Sequence, residues 1–265
     1  MSRPGGYDRQ EDTVWRSALT NYDRDQILIR GRPIQELMRA GNFADTAFLL
    51  LSGRPPTPGE SRLWNAILTA CADHGPSSPS ALAARVAASG NRQSVSAAVA
   101  AGVLAIGDAH GGAGQQTMEV LAEGLARAER PGASPEAVAE RIAGEHAEAG
   151  RRIPGLGHRV HGTDPRTTML FDLARAAGVS GRAVGLLQHL QAAASRRAGK
   201  DLPINIDGAL GAVLLDLGFP PDVGHVAFLL GRTAGIAAHV LEERAREKPM
   251  RIRIPFTYDG PPPGP

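Results

Sequence analysis

An all-α fold is expected from this sequence, and three of its features point there. The hydrophobic residues, 42% of the chain, lean towards Ala, Leu and Val with only 4% aromatics, a mixture that favours closely packed helices over a β-sandwich. Glycine and proline recur at intervals suited to ending one helix and opening the next. Only two short segments, 26–31 and 251–255, alternate like strands.

Between polar or proline-rich tails at 1–12 and 259–265, the elements follow in order. Residues 33–38 and 42–52 make two short helices before the turn Gly53-Arg54-Pro55-Pro56, and 60–73 a longer one stopped at Gly75-Pro76. The alanine-rich run 81–104 reads as one helix that packs on several sides. Met118, Leu121 and Leu125 mark one face of the next, and Ser134-Pro135 caps a helix to Glu148. Helices over 167–177, 182–198 and 206–217 each stop at a glycine, namely Gly178, Gly199 and Gly218. Asp222 caps a last long helix towards Arg246, with Gly231 and Gly235 inside it.

The formal charge of +2 is nearly balanced, and the pI of 9.0 reflects a small arginine excess rather than a basic block. Nucleic acid is therefore not expected as a partner. Cys71 is the single cysteine, which leaves no internal disulfide and no metal-ligand spacing. No apolar run approaches the ~20 residues that cross a bilayer, and residues 1–10 lack the apolar stretch of a secretory signal. The expectations are no membrane partner and a cytoplasmic location.

The most informative segment is 154–166. His158 follows the turn Pro154-Gly155-Leu156-Gly157, and Arg166 follows a second turn at Asp164-Pro165. A histidine can pass a proton near neutrality and an arginine grips carboxylates in a two-pronged fashion, so the pair suits acid/base chemistry on a small carboxylate. His74 and His110 also sit beside glycine at the ends of helical runs. His146, His189, His225 and His239 lack such a setting and read as structural or surface residues. His161 lies three residues after His158, but Gly157 and Gly162 argue against the helix a metal pair would need, so no metal site is expected. Asp207 alone would pass as a first-turn residue favoured by the helix dipole, and Arg232 as a solvated charge but for its flanking glycines.

Together, six ordered segments resemble the citrate synthase superfamily across nearly the whole chain. They are Ile29-Arg30-Gly31-Arg32-Pro33-Ile34, Ala72-Asp73-His74-Gly75, Asp108-Ala109-His110-Gly111-Gly112-Ala113, Gly157-His158 with Thr163-Asp164-Pro165-Arg166, Asn205-Ile206-Asp207-Gly208 and Gly231-Arg232-Thr233-Ala234-Gly235. Within that superfamily the first histidine segment, Ile106-Gly107-Asp108, and the aspartate segment look like citryl-CoA lyase, the module that also ends ATP-citrate lyase. His110 and Thr163-Asp164-Pro165-Arg166 are similar to the synthases.

The resemblance implies joining an acetyl-CoA carbon to oxaloacetate, or the reverse. It makes Asp207 the base at the thioester methyl, His110 the donor to the enolate oxygen, and His158 the acid or base at the oxaloacetate oxygen. Arg166 and Arg232 would bind carboxylates with His74, joined by Arg251 or Arg253, which alternation puts on one strand face and which the family pattern lets cross from a neighbouring subunit. Pro154, Gly155, Leu156 and Gly157 would lie against CoA. No permanent cofactor is implied; a coenzyme A thioester is the substrate.

First choice is a citryl-CoA lyase giving acetyl-CoA and oxaloacetate. The alternatives are a citrate or 2-methylcitrate synthase, which also hydrolyses the thioester, and a non-catalytic acyl-CoA-binding subunit. The partners implied are citryl-CoA, or acetyl-CoA or another acyl-CoA with oxaloacetate, a homodimer or larger homo-oligomer, and for a lyase a citryl-CoA-forming ligase. Residues 1–110 and 206–265 would form a large helical domain, and 111–205 a smaller one that closes over the substrates.

Overall fold

A computed structural model describes residues 16–157, 164–179 and 181–261. Contacts divide the chain into two units, Met1–Pro56 and Thr57–Pro265.

In the first unit, β1 (Thr20–Tyr22), β2 (Ile27–Ile29) and β3 (Arg32–Pro33) form an antiparallel meander in that order, with Asn21 opposite Leu28 and Leu28 opposite Pro33. The predicted strand is thus the centre of a small sheet whose outer strands carry too few residues for alternation to reveal them. The two-residue turn between β2 and β3 puts Arg30 (φ 49°) and Gly31 (φ 77°) in the left-handed region, which suits a tight hairpin. The Arg30 side chain is held by two donations, from Nε and Nη2, to the Leu50 carbonyl at 3.3 and 2.9 Å. That carbonyl belongs to the last turn of α2 (Phe43–Ser52), where the helix itself supplies no donor. α1 (Ile34–Ala40) precedes α2, whose first turn is capped by Asn42 accepting from the Asp45 N–H.

The second unit is built from helices. α3 (Pro58–Cys71) opens with a reciprocal capping box between Thr57 and Glu60. The run 81–104, expected as one helix, is two: α4 (Pro79–Gly90) and α5 (Val95–Leu104). Gly90 and Asn91 end the first; Asn91 Oδ1 then accepts the Ser94 N–H, and Ser94 Oγ caps the second at Ala97. There follow α6 (Ala113–Ala128), α7 (Pro135–Glu148), α8 (Pro165–Ala176), α9 (Arg182–Ala198), α10 (Ile206–Asp216) and α11 (Asp222–Arg246).

α11 packs on α3, α4, α5 and α6, while α10 packs on α6, α8 and α9. The core between them is built from Trp64, Ile67, Met118, Leu121, Leu187, Leu190, Leu210 and Leu214, all essentially without exposure. Among the described residues α11 alone is long and apolar enough to meet a membrane-span criterion. It nonetheless packs inside this unit and carries the buried Arg232 and Glu243.

The second predicted strand is not formed. Residues 251–255 have no ladder partner among the described residues, and the Arg251 side chain pairs with Glu243 and Glu247 at the end of α11. The Met250 N–H donates to the Ser89 carbonyl, anchoring the start of this segment at α4.

Candidate active site

Helix ends converge on a cavity of about 350 Å³ in the second unit. His74, His110, Arg166, Asp207 and Arg232 line it together with Asn205 and Phe228. Five of the predicted site residues therefore share one wall-to-wall space, although 158 positions separate the first from the last. His158 lies outside the described residues. Arg251 and Arg253 do not line the cavity; Arg251 is engaged by Glu243, and Arg253 is exposed.

Each cationic group is held in its own way. Arg166 sits in the first turn of α8 and is braced by Asp164, which caps that helix. Its backbone N–H and Nε donate to Asp164 Oδ1 at 3.0 and 3.1 Å, and Nη2 to Oδ2 at 2.8 Å. This pairing, reinforced by the charge of Asp207, holds the guanidinium above its ordinary pKa.

Arg232 is 3% exposed. Its Nε donates to the Cys71 carbonyl at 2.9 Å, its guanidinium lies over the Phe228 ring, and Nη1 is buried with no partner among the described residues. Burial lowers its pKa, against the opposing charges of Asp73 and Asp207. A buried, unpaired guanidinium N–H at a cavity wall is costly unless an anion completes it.

The glycines flanking Arg232 serve helix contact. A Cβ at Gly231 would meet the Leu68 carbonyl oxygen at 2.5 Å, and one at Gly235 would strike the Ala72 carbonyl oxygen. Only with both does α11 approach α3 closely enough for Arg232 to reach Cys71.

His110 stands on the loop between α5 and α6, edge-on to Phe228 with ring centres 5.7 Å apart. Its Nε2 receives the Ser80 backbone N–H at 3.4 Å and meets Ser80 Oγ at 2.9 Å. A backbone N–H can only donate, so Nε2 is the unprotonated nitrogen and the ring proton resides on Nδ1. Burial, with the charges of Arg232 and His74 nearby, pushes its pKa below the ordinary value. The result is a neutral imidazole with one N–H left to give.

Asp207 lies in the first turn of α10, but the cap of that helix is Asn205, whose side chain accepts the Gly208 N–H. The carboxylate of Asp207 is thus not needed as the cap and borders the cavity instead. Cys71 is buried, and its thiol is pushed up to about 12, mainly by burial and then by Asp207; it stays protonated and is no nucleophile.

Asn205 also connects the cavity to the glycine turn. Its Nδ2 donates to the Gly157 carbonyl at 2.9 Å and its backbone N–H to the Gly155 carbonyl at 3.0 Å. Gly155 has φ +80°, and a Cβ there would meet Gly208 Cα at 2.6 Å. The turn must therefore be glycine for the predicted CoA segment to lie against α10. Pro154 borders a separate cavity of about 550 Å³. That space is lined by Arg127 among others, already taken up by Glu123 and Glu145, and neither His110 nor Asp207 lines it.

Sequence reasoning missed Ser80, Asp164 as the brace of Arg166, and Phe228, which touches both His110 and Arg232. An N-terminal Asp two residues before an arginine is a readable signal for the second. Ser80, 30 positions from His110, gave none.

A family model described as citrate synthase, C-terminal domain, matches residues 52–253. The structure superposes on the citryl-CoA lyase of Hydrogenobacter thermophilus with a TM-score of 0.87 and 37% identity, covering 95% of this chain and 97% of that one. It also shares its fold with the ATP citrate lyase of Methanothrix soehngenii, TM-score 0.79 at 23% identity, over 96% of this chain and 43% of that one. A citrate synthase of Heyndrickxia coagulans is 28% identical over 230 residues, 85% of this chain but 58% of that protein, so the chain spans little more than half the length of this relative. With six motif segments in order, five site residues around one cavity and the family match over most of its length, the chain belongs to the citrate synthase family.

Proposed function

We propose that this protein is a citryl-CoA lyase that cleaves citryl-CoA to acetyl-CoA and oxaloacetate. The observation carrying this reading is the 37% identity and TM-score of 0.87 with the Hydrogenobacter citryl-CoA lyase. The cavity supplies chemistry that suits it.

Arg166 and Arg232 bind the substrate carboxylates, with His74 as a hydrogen-bonding partner, and the CoA chain runs along Pro154–Gly157. His158 removes the proton from the tertiary hydroxyl of citryl-CoA. As that oxygen becomes the ketone of oxaloacetate, the adjacent C–C bond breaks and its electron pair enters the thioester carbonyl as an enolate. His110 donates its Nδ1–H bond to the enolate oxygen, stabilising the charge without giving up the proton. Asp207, a carboxylate in the ligand-free site, takes up a proton when citryl-CoA binds and delivers it to the enolate carbon to complete acetyl-CoA. His158 then loses its gained proton to solvent, which closes the cycle.

A citrate synthase is the second reading, favoured by relatives of that name such as the Heyndrickxia protein. It uses the same three groups and adds thioester hydrolysis. Acetyl-CoA and oxaloacetate, supplied together, distinguish the two: a lyase liberates no free thiol, whereas a synthase liberates one for every citrate made.

A further inference from the structure

The His74 turn is joined to a line of polar side chains that the proposed chemistry does not use. Asp73 Oδ2 accepts the Gly75 N–H at 3.2 Å, and Oδ1 lies 3.0 Å from His239 Nε2 on α11. His239 Nδ1 lies 3.1 Å from Arg85 Nη1 on α4. Arg85 goes on to Glu242 at 2.8 Å and, through Nη2, to Glu243 at 2.9 Å. Glu243 has no exposure, and its two oxygens also receive Arg251 at 2.8 and 2.5 Å.

The direction of these bonds follows from the guanidinium, which has no acceptor. His239 Nδ1 must offer its lone pair to Arg85, so the ring proton of the neutral imidazole resides on Nε2, facing Asp73. Arg85 thereby selects the tautomer, and that tautomer makes His239 a donor to the carboxylate that fastens the turn before His74. Burial alone would raise the Asp73 pKa, but the Gly75 N–H and His239 outweigh it and hold the carboxyl below its ordinary value.

We infer that His239 is a positioning residue, with its tautomer set by Arg85, which holds the His74 turn in place for a substrate carboxylate. The inference rests on the proposed function for its substrate, a polycarboxylic acyl-CoA. An ion cluster serving only to join α4 to α11 would need neither a defined tautomer nor a bond to the residue beside His74. The line begins beside His74, a candidate carboxylate-binding group, and ends at Arg251, which lies outside the cavity.

The test compares His239→Ala with His239→Gln, since a glutamine amide still reaches Asp73 as a donor. Two measurements are made: KM and kcat with citryl-CoA, and amide hydrogen exchange over residues 72–78 without ligand. The expected result for His239→Ala is a KM raised about 10- to 100-fold with kcat changed far less, and faster exchange confined to the turn. His239→Gln recovers most of both. Should His239→Ala fail to fold, His239→Asn, which can face Arg85 but stops short of Asp73, is expected to behave as described for Ala. Unchanged KM and exchange in the Ala or Asn variant, or equal losses in Gln, would overturn the inference. If the wild-type protein turns over no acyl-CoA, the functional reading fails by itself, and the exchange contrast still decides the role of His239.

Discussion

A histidine serves as a neutral hydrogen-bond donor only while its second nitrogen stays unprotonated. At His110 burial opposes the cation, Arg232 and His74 repel it, and the Ser80 N–H occupies Nε2. The imidazole should therefore titrate by NMR with a midpoint below the ordinary ~6.5. Replacing Arg232 by Leu removes a repelling charge and should move that midpoint upward. Asp207→Ala should lower turnover by about 10² or more with an unchanged helical circular dichroism spectrum; near-normal turnover would remove it from the mechanism. His74, His110, Arg166, Asp207 and Arg232 were legible because each stands at a helix end or beside glycine within a recognisable segment. Ser80 and Phe228 were not, since what makes them functional is a contact across 30 or more positions, invisible to local pattern. His239 was read as structural for the same reason: its partners lie on α4 and before His74.

At the scale of elements, the stops were the readable part: glycines in the left-handed region follow α2, α8 and α9. Of the caps, Ser134 accepts the Ala137 N–H as expected, but Asp222, expected to cap α11, is its first residue and makes no cap bond, while the caps Asn42, Thr57 and Asn205 were not read. The break between α4 and α5 was written in Gly90-Asn91 and Ser94, but the alanine-rich composition on both sides concealed it. The segment 251–255 shows the opposite failure, since alternation suggested a strand for which no partner edge exists among the described residues. Helix approach is the element-scale device with most bearing on the site. A methyl at Gly235 would collide with the Ala72 carbonyl, so Gly235→Ala should cost about 1–3 kcal/mol in denaturant unfolding. It should also weaken substrate binding, because α11 can no longer present Arg232 beside Cys71.

For the whole molecule, the helical architecture and the family were both expected from sequence, the first from composition and the helix stops and the second because six recognisable segments follow in order along the chain. The proposed inserted domain, 111–205, comprises α6 to α9 and lies wholly within the second unit. If it closes over the substrates, saturating oxaloacetate with a CoA thioester should slow hydrogen exchange across α6 to α9 and around Pro154–Gly157, and neither ligand should do so fully alone. An identical exchange pattern with and without both ligands would refute closure. The bond that is broken sets a lyase apart from a synthase most directly. Purified protein given citryl-CoA, with oxaloacetate and free thiol followed separately, should release oxaloacetate and acetyl-CoA with no free thiol; citrate and free CoA appearing in equal amounts, without oxaloacetate, would contradict it.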